Sequence, residues 1–347
     1  MQRPHEPGTP EGPDRTAPDQ AGPKQTAPKQ TAPEQTDRGR ASALPARNRW
    51  LRLLWIVPVA LVVMAGVVLA ARGLRSLPDV QSFLSDYPGT TTLPSDAPVG
   101  IPAWLAWQHG LNAFFLFFII RTGWQIRREG RPTTFWKRRN TALIRTKRPP
   151  TRVGLNVWLH LTFDTLWVLN GALFYVLLFT TGQWLRLVPV TWSIIPNAVS
   201  AALQYASLEW PVENSWVNYN ALQTISYFVI VFVAAPLALL TGLRLSPSWT
   251  SRRLSALFPF RVARTVHIAV MFFFMAFIVV HVFLVFTTGA LRNLNHMYAA
   301  QDGDGWLGFA IFAAAAVLTI VAWSAARPRV VRFLAALTGT VTHRPPH

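Results

Sequence analysis

Six apolar runs, each close to the roughly 20 residues that a helix needs to cross a bilayer, dominate the sequence and restrict its possible folds. They lie at residues 50–71, 101–121, 157–181, 219–242, 266–288 and 306–325. Because lipid cannot satisfy backbone N–H and C=O groups, runs of this length are expected to be helices. Only 14% of the residues are charged, against about 25% in soluble globular proteins. The sequence therefore predicts an all-α integral membrane protein with six transmembrane helices.

The basic residues are concentrated between the apolar runs. The stretch 121–152 carries eleven Lys or Arg and one acid, and 244–264 carries five Arg and no acid, whereas 187–218 has two acids and no Lys or Arg. The positive-inside rule then predicts that both termini of this multi-pass protein are cytoplasmic. The same distribution makes the net charge of +18 a sign of contact with membrane lipid, and argues against a nucleic-acid partner.

Four regions follow from this pattern. Residues 1–46 contain the repeated segments TAPDQ, AGPKQ, TAPKQ and TAPEQ, have too little apolar content to fold, and are predicted to be a disordered cytoplasmic tail. An additional N-terminal transmembrane helix is expected at 47–75 and a four-helix core at 101–290. Residues 305–347 are expected to hold the sixth transmembrane helix and a basic cytoplasmic C-terminal tail.

Four of the eight histidines lie inside the apolar runs: His109, His160, His267 and His281. The predicted topology puts His109 and His281 near the outer face (the outer pair), and His160 and His267 near the inner face (the inner pair). The fourteen residues between His267 and His281 turn a helix by about 1400°, within about 40° of four full turns, and rise about 21 Å. These two histidines should therefore share one helix face, with one in each leaflet.

Two imidazoles that face each other from different helices are the ligands that a b-type haem requires. The chain has no cysteine, which excludes disulfides, cysteine-ligated iron–sulfur clusters and covalently attached c-type haem. The sequence therefore predicts two haem b groups, an outer one on His109 and His281 and an inner one on His160 and His267. Structural hydrogen bonding by each histidine, or a proton relay in a transporter, is the alternative.

Four further residues are candidates for the cofactor sites. Asp164 follows His160 by four residues and could move a proton at a quinone site, or pair with an arginine. Arg121 and Arg264 could bind the propionates of the inner haem, or extend to lipid headgroups. Gly171 would lie near the outer haem, where a side chain would crowd the porphyrin, although small residues also serve ordinary helix packing.

The four histidines resemble the pattern in membrane cytochrome b subunits of bacterial respiratory complexes. These families are the formate dehydrogenase gamma subunit, nickel–iron hydrogenase cytochrome b and thiosulfate reductase cytochrome b. They carry one histidine on each of two helices and two histidines about four turns apart on a later helix, which corresponds to His109, His160, and the pair His267 and His281. The resemblance covers residues 101–290, and the stretch RTGWQIRREGRP is similar to a basic loop of the thiosulfate-reductase-like branch. The chain departs from the pattern in two ways. It has an extra first helix, and its loop charges predict that the first haem-binding helix begins on the outer side of the membrane.

The resemblance implies an electron-transfer subunit in a bacterial cytoplasmic membrane, working between the quinone pool and a separate catalytic oxidoreductase subunit. The thiosulfate-reductase-like similarity favours a molybdopterin enzyme as that partner, with a hydrogenase as the other possibility. The chain has no region large enough for a catalytic domain of its own, so it is not expected to be a stand-alone enzyme. The alternatives are a self-contained di-haem reductase of a soluble acceptor and a haem-free transporter or membrane anchor.

Overall fold

A computed structural model describes residues 47–141, 149–210 and 214–343, so the predicted tail at 1–46 lies outside the described residues. The chain divides into two units after residue 58. The described part of the first unit is helical, and belongs to the helix Arg47–Arg75. All the contacts discussed below lie within the second unit.

Within the described residues, six helices are long and apolar enough to cross a membrane, which confirms the predicted number of spans. The first to sixth spans are Leu54–Arg75, Ala103–Arg128, Leu155–Thr180, Ala221–Leu245, Phe260–Thr287 and Leu307–Ala325. Large apolar side chains remain exposed along them, such as Val279 at 70% and Leu318 at 63%. Surfaces of this kind are stable only in lipid, and the chain is a multi-pass membrane protein.

Two spans are longer than their apolar runs. The second span continues seven residues past the predicted end at residue 121, because the basic segment that follows contains no proline before its C-cap, Glu129. The fifth span begins six residues before the predicted start, directly after the N-cap residue Pro259. A helix of 28 residues is about 42 Å long, against about 30 Å for the hydrocarbon core, so its basic first turns extend beyond the lipid chains.

The fourth span is interrupted by a π-helical segment, Val229–Ala234, between the α-helices Ala221–Phe228 and Ala235–Leu245. Within it the N–H of Ala235 bonds to the carbonyl of Ile230. The next donor in this π pattern would be residue 236, but Pro236 has no N–H to offer the carbonyl of Val231. The hydroxyl of Tyr175 on the third span donates to that carbonyl instead, at 2.5 Å. The bulge therefore ties the third and fourth spans together.

The loops at one end of the spans are bonded to one another. The N–H of Gly100 donates to the carbonyl of Trp216 at 2.8 Å, and Asn218 donates to the carbonyl of Thr91 at 2.8 Å. Arg186, which is 1% exposed, donates to the carbonyls of Gly100 and Trp216. These contacts join the loop before the second span to the loop before the fourth span, as expected for loops on one side of the membrane.

The described chain is mostly helical, as predicted, but its opposite end also carries a three-stranded antiparallel sheet that the all-α prediction did not include. Strands β1 (Thr134–Arg138), β2 (Arg152–Gly154) and β3 (Gly339–His343) lie in the order β2-β1-β3. A helix, Pro328–Thr338, precedes β3 within the predicted C-terminal tail. The sheet packs on the start of the third span through a cluster that includes Val153, Trp158 and Val331. It places the loop after the second span and the C-terminal segment on the same side of the membrane.

Gly339 is expected to be essential for the pairing of β1 with β3. A Cβ at this position would lie 2.2 Å from Nε1 of Trp136 and 2.5 Å from the carbonyl oxygen of Lys137, both well inside contact distance. Gly339→Val should therefore separate the strands and cost about 1–3 kcal/mol of stability, as is typical of overpacking. The check is hydrogen–deuterium exchange of residues 339–343 in the full chain, where protection should be lost. Thr340→Ala, at an exposed neighbouring position, should keep it, and protection of the Gly339→Val chain equal to that of the parent would contradict the prediction.

Candidate functional site: two pairs of intramembrane histidines

The inner pair lies between the third and fifth spans, toward the end of the molecule that carries the sheet. The ring centroids of His160 and His267 are 6.4 Å apart, and their planes are inclined by 78°. His160 stands one and a half turns after the start of the third span at Leu155, which follows β2 directly. The side chain of His160 is 14% exposed.

The outer pair joins the second and fifth spans at the opposite end. The ring centroids of His109 and His281 are 6.2 Å apart, with an interplanar angle of 63°. Phe277 stacks on His281 with nearly parallel rings, at 5.4 Å and 8°. Tyr298, from the connection after the fifth span, meets His109 edge to face at 5.4 Å. The structure thus brings together the two pairs that the depth argument predicts.

Both separations suit a metal held between two imidazoles. A metal–nitrogen bond is about 2.0 Å and the nitrogen lies about 1.2 Å from the ring centre, so axial ligands on one haem iron have centroids about 6.4 Å apart. A direct N–H···N hydrogen bond of about 2.9 Å would limit the centroid distance to about 5.3 Å. Among the described residues no group of three or more His, Cys, Asp or Glu could hold a metal ion. Each pair brings two imidazoles together, and two is the number of protein ligands that a bis-histidine haem takes.

The imidazoles of the inner pair are each held by a threonine. Oγ1 of Thr122, on the second span, lies 2.8 Å from Nδ1 of His160. Oγ1 of Thr241, on the fourth span, lies 2.9 Å from Nδ1 of His267. Both threonines are 0% exposed. The second, third, fourth and fifth spans therefore all contribute to the inner pair.

A glycine follows each of these threonines and lies against the same ring. A Cβ on Gly123 would be 3.5 Å from Cε1 of His160, and a Cβ on Gly242 would be 3.5 Å from Cε1 of His267. A methyl group would make ordinary contact there, but a longer side chain would run into the imidazole. The absence of side chains at these two positions leaves the rings room to lie close to the neighbouring helices.

The outer pair lacks such a support at His109. Its Nδ1 is buried and has no hydrogen-bond partner among the residues that the structure describes. The same is true of two other polar atoms on this stretch of the second span, Nε1 of Trp104 and Oε1 of Gln108. Buried polar atoms without partners are uncommon in folded proteins, so this end of the second span is suited to a polar occupant.

Asp164 lies beside the inner pair. Its Oδ2 is 3.6 Å from Nε2 of His160, and its side chain is 30% exposed. That distance exceeds a hydrogen bond, so the carboxylate does not engage the nitrogen that would face a metal. Asp164 is close enough to exchange a proton with a small molecule or water at this site.

The other three predicted residues are placed less closely to the rings. Arg121 donates to the carbonyls of Trp323 and Ala326 at 2.6 and 3.1 Å and stacks over the Trp323 ring, so it caps the end of the sixth span. Arg264 is exposed on the fifth span. Gly171 has open space where a side chain would project. Their roles toward propionates and porphyrin stay predictions.

His296 has a structural role in the loops beside the outer pair. It is 1% exposed, and its Nδ1 and Nε2 lie 2.9 Å from Ser215 Oγ and Asp302 Oδ1 respectively. The hydrogen bond from His296 holds the pKa of the Asp302 carboxyl below its usual range. His296 thereby connects the loop before the fourth span to the segment that carries Tyr298.

Sequence reasoning identified the histidines but missed Thr122, Thr241 and Tyr298. A signal for the threonines is present in the sequence, since the dipeptide Thr-Gly occurs near the same end of the second and fourth spans. A second internal similarity is the motif TTG, at residues 180–182 and 287–289, which ends 22 residues after His160 and 22 residues after His267. Each TTG motif lies where a histidine-bearing span ends, at the end opposite the inner pair.

No protein-family model, no curated protein and no solved structure matches this chain.

Proposed function

We propose that the chain is a di-haem cytochrome b subunit that transfers electrons between the quinone pool and a partner oxidoreductase. One observation carries the proposal: two pairs of intramembrane histidines, with centroids 6.2 and 6.4 Å apart, have the spacing of axial haem ligands. Four facing imidazoles in apolar helices are difficult to explain as packing, because ionisable groups are costly in lipid.

His109 and His281 would hold the outer haem, and His160 and His267 the inner one. Haem b held by two histidines would supply one-electron transfer, and would not offer a binding position for a substrate. His267 and His281 lie about 21 Å apart along one helix, so the fifth span contributes one histidine to each pair. This arrangement supports electron transfer across the membrane rather than chemistry at the iron.

Asp164 would serve the exchange with quinone at the inner pair. Oxidation of a quinol releases two protons with its two electrons, and a carboxylate beside the inner histidines can accept one of them. A catalytic partner is part of the proposal, because the longest described connection between spans, residues 181–220 with the helix Ile194–Ala206, is too small for a catalytic domain. The similarity of the histidine pattern to thiosulfate reductase cytochrome b favours a molybdopterin enzyme as that partner.

Asp164 also favours a second candidate function, a haem-free proton pathway in a transporter. A carboxylate and two imidazoles at one depth could pass protons along a membrane channel. A reduced-minus-oxidised absorption spectrum of the purified chain separates the two functions. Two haem b groups per chain would support the cytochrome b function. A haem-free protein that conducts protons would support the transporter function instead.

Purification in mild detergent should also recover a redox enzyme bound to the chain. Rapid quinol-dependent turnover by the chain alone would favour the self-contained reductase.

The proposed orientation places the sheet and both termini in the cytoplasm, because the loops at that end are strongly basic. The chain has no cysteine, so labelling of a single introduced cysteine shows on which side of the membrane that residue lies. Thr191→Cys, in the acidic loop, should react with a membrane-impermeant maleimide on intact cells. Thr133→Cys, in the basic loop, should react only after permeabilisation; both residues are exposed. The reverse pattern would invert the proposed orientation, and labelling of both from one side would refute the six-span topology.

A further inference from the structure

Thr122 and Thr241 each bind the imidazole of one inner histidine in a way that determines which ring nitrogen carries the proton. The Thr122 hydroxyl lies 2.7 Å from the carbonyl oxygen of Phe118, one turn earlier on its own helix. The Thr241 hydroxyl lies 2.5 Å from the carbonyl oxygen of Leu237, also one turn earlier. A carbonyl can only accept, so the single proton of each hydroxyl is donated there.

Each threonine oxygen can then act toward its histidine only as an acceptor. Nδ1 of His160 and Nδ1 of His267 must therefore carry the hydrogen, and donate it to Thr122 and Thr241 respectively. In a neutral imidazole the other nitrogen, Nε2, is left with its lone pair. Both threonines are fully buried, so water does not compete for these bonds. Each inner histidine is thus prepared as a metal ligand through Nε2.

The arrangement occurs twice, on different spans, with the same partners in the same order. In both cases the threonine is followed by a glycine, and the position of a Cβ on that glycine is 3.5 Å from Cε1 of the same imidazole. The threonine holds one edge of the ring while the glycine leaves room for it. At the outer pair, Nδ1 of His109 has no hydrogen-bond partner among the described residues, so the two sites differ in this respect.

We propose that Thr122 and Thr241 are positioning residues that set the ring orientation, the tautomer and the redox potential of the inner site and not of the outer one. This inference rests on the proposed haem ligation. An acceptor on Nδ1–H makes an imidazole a stronger electron donor, which stabilises the oxidised iron and lowers its potential. Loss of one such bond should therefore raise the inner midpoint potential. Outer-shell partners of metal ligands typically change metal affinity by 10–100-fold.

The test is a redox titration, followed by absorbance, of the purified full-length chain and of Thr122→Val and Thr241→Val. Valine keeps the shape of threonine but cannot accept the hydrogen bond. Each variant should favour the reduced inner haem by about tenfold, an upward shift of about 59 mV for one electron. The outer component should be unchanged, and the double variant should shift further. Thr122→Ser and Thr241→Ser keep the hydroxyl and should restore the parent value.

A matched control is Thr165→Val on the third span. Its hydroxyl donates to the carbonyl of Leu161 on its own helix, and neither redox component should move. Complete loss of the inner haem from Thr122→Val but not from Thr122→Ser would also support the inference. If the parent holds two haems, three results would overturn the inference but leave the proposed function intact. They are no shift in the valine variants, equal shifts in both components, and no rescue by serine. Absence of haem from the parent chain would overturn the proposed function, and the inference with it.

Discussion

Replacing His160 with alanine is expected to halve the haem content of the purified chain, and replacing His267 should do the same. The two imidazoles are 6.4 Å apart between centroids and would share one iron, so either loss leaves that iron with one protein ligand. The same redox component should disappear or shift strongly in both variants. The double variant His160→Ala/His267→Ala should look like either single one. Haem content per chain and the number of titrating components are the measurements.

His343→Ala is the control for this series, because His343 lies in β3, outside the spans, and should leave both components in place. Equal retention of both haems in the His160→Ala and His267→Ala variants would remove the inner site from the proposal. Loss of both components in either single variant, from a chain that remains monodisperse, would mean that the two sites are not independent.

The largest effect is expected from a double replacement across the pairs, His109→Ala with His160→Ala. Each pair would lose one ligand, so the chain should retain almost no haem and quinol should no longer reduce it. The within-pair double variant His109→Ala/His281→Ala should keep the inner component, since His267 and His281 lie about 21 Å apart along one helix and cannot share an iron. Both double variants lack two histidines, so a difference in haem content between them must come from which histidines were removed.

One result in this series would contradict the pairing itself. If His109→Ala and His267→Ala abolished the same component, the ligand pairs would not be those seen in the structure. If none of the histidine variants changed haem content, the four histidines would not be the haem ligands and the proposed function would fail.

The spans and the contacts between distant histidines could be predicted from the sequence, because the bilayer alone determines them. The spans follow from apolar length, and the pairing of His109 with His281 follows from the alternation of topology combined with the helical repeat. Both arguments need only distances along the chain and the thickness of the bilayer. The structure bears out the six spans and brings together the predicted pairs.

The sheet was not predictable in the same way. β1 and β3 have five residues each, too few to give a periodic signal, and they pair across about 200 positions of sequence. The basic residues around β1 were also fully explained by topology. Thr122 was missed for a different reason. A hydroxyl group in an apolar helix usually bonds the backbone of its own helix, and only the structure shows that the Thr122 hydroxyl also contacts His160.

The order of the strands has a consequence for biosynthesis. β1 is the middle strand, and its partner β3 is made last: Thr134 pairs with His343, 209 residues later. At about 5–20 residues per second, a ribosome needs about 10–40 s to cover that distance. Throughout this interval one edge of β1 stays unpaired, while the later spans enter the membrane. Closure of the sheet can therefore occur only once the last span has been made, and a chain truncated before β3 would keep an open edge on β1.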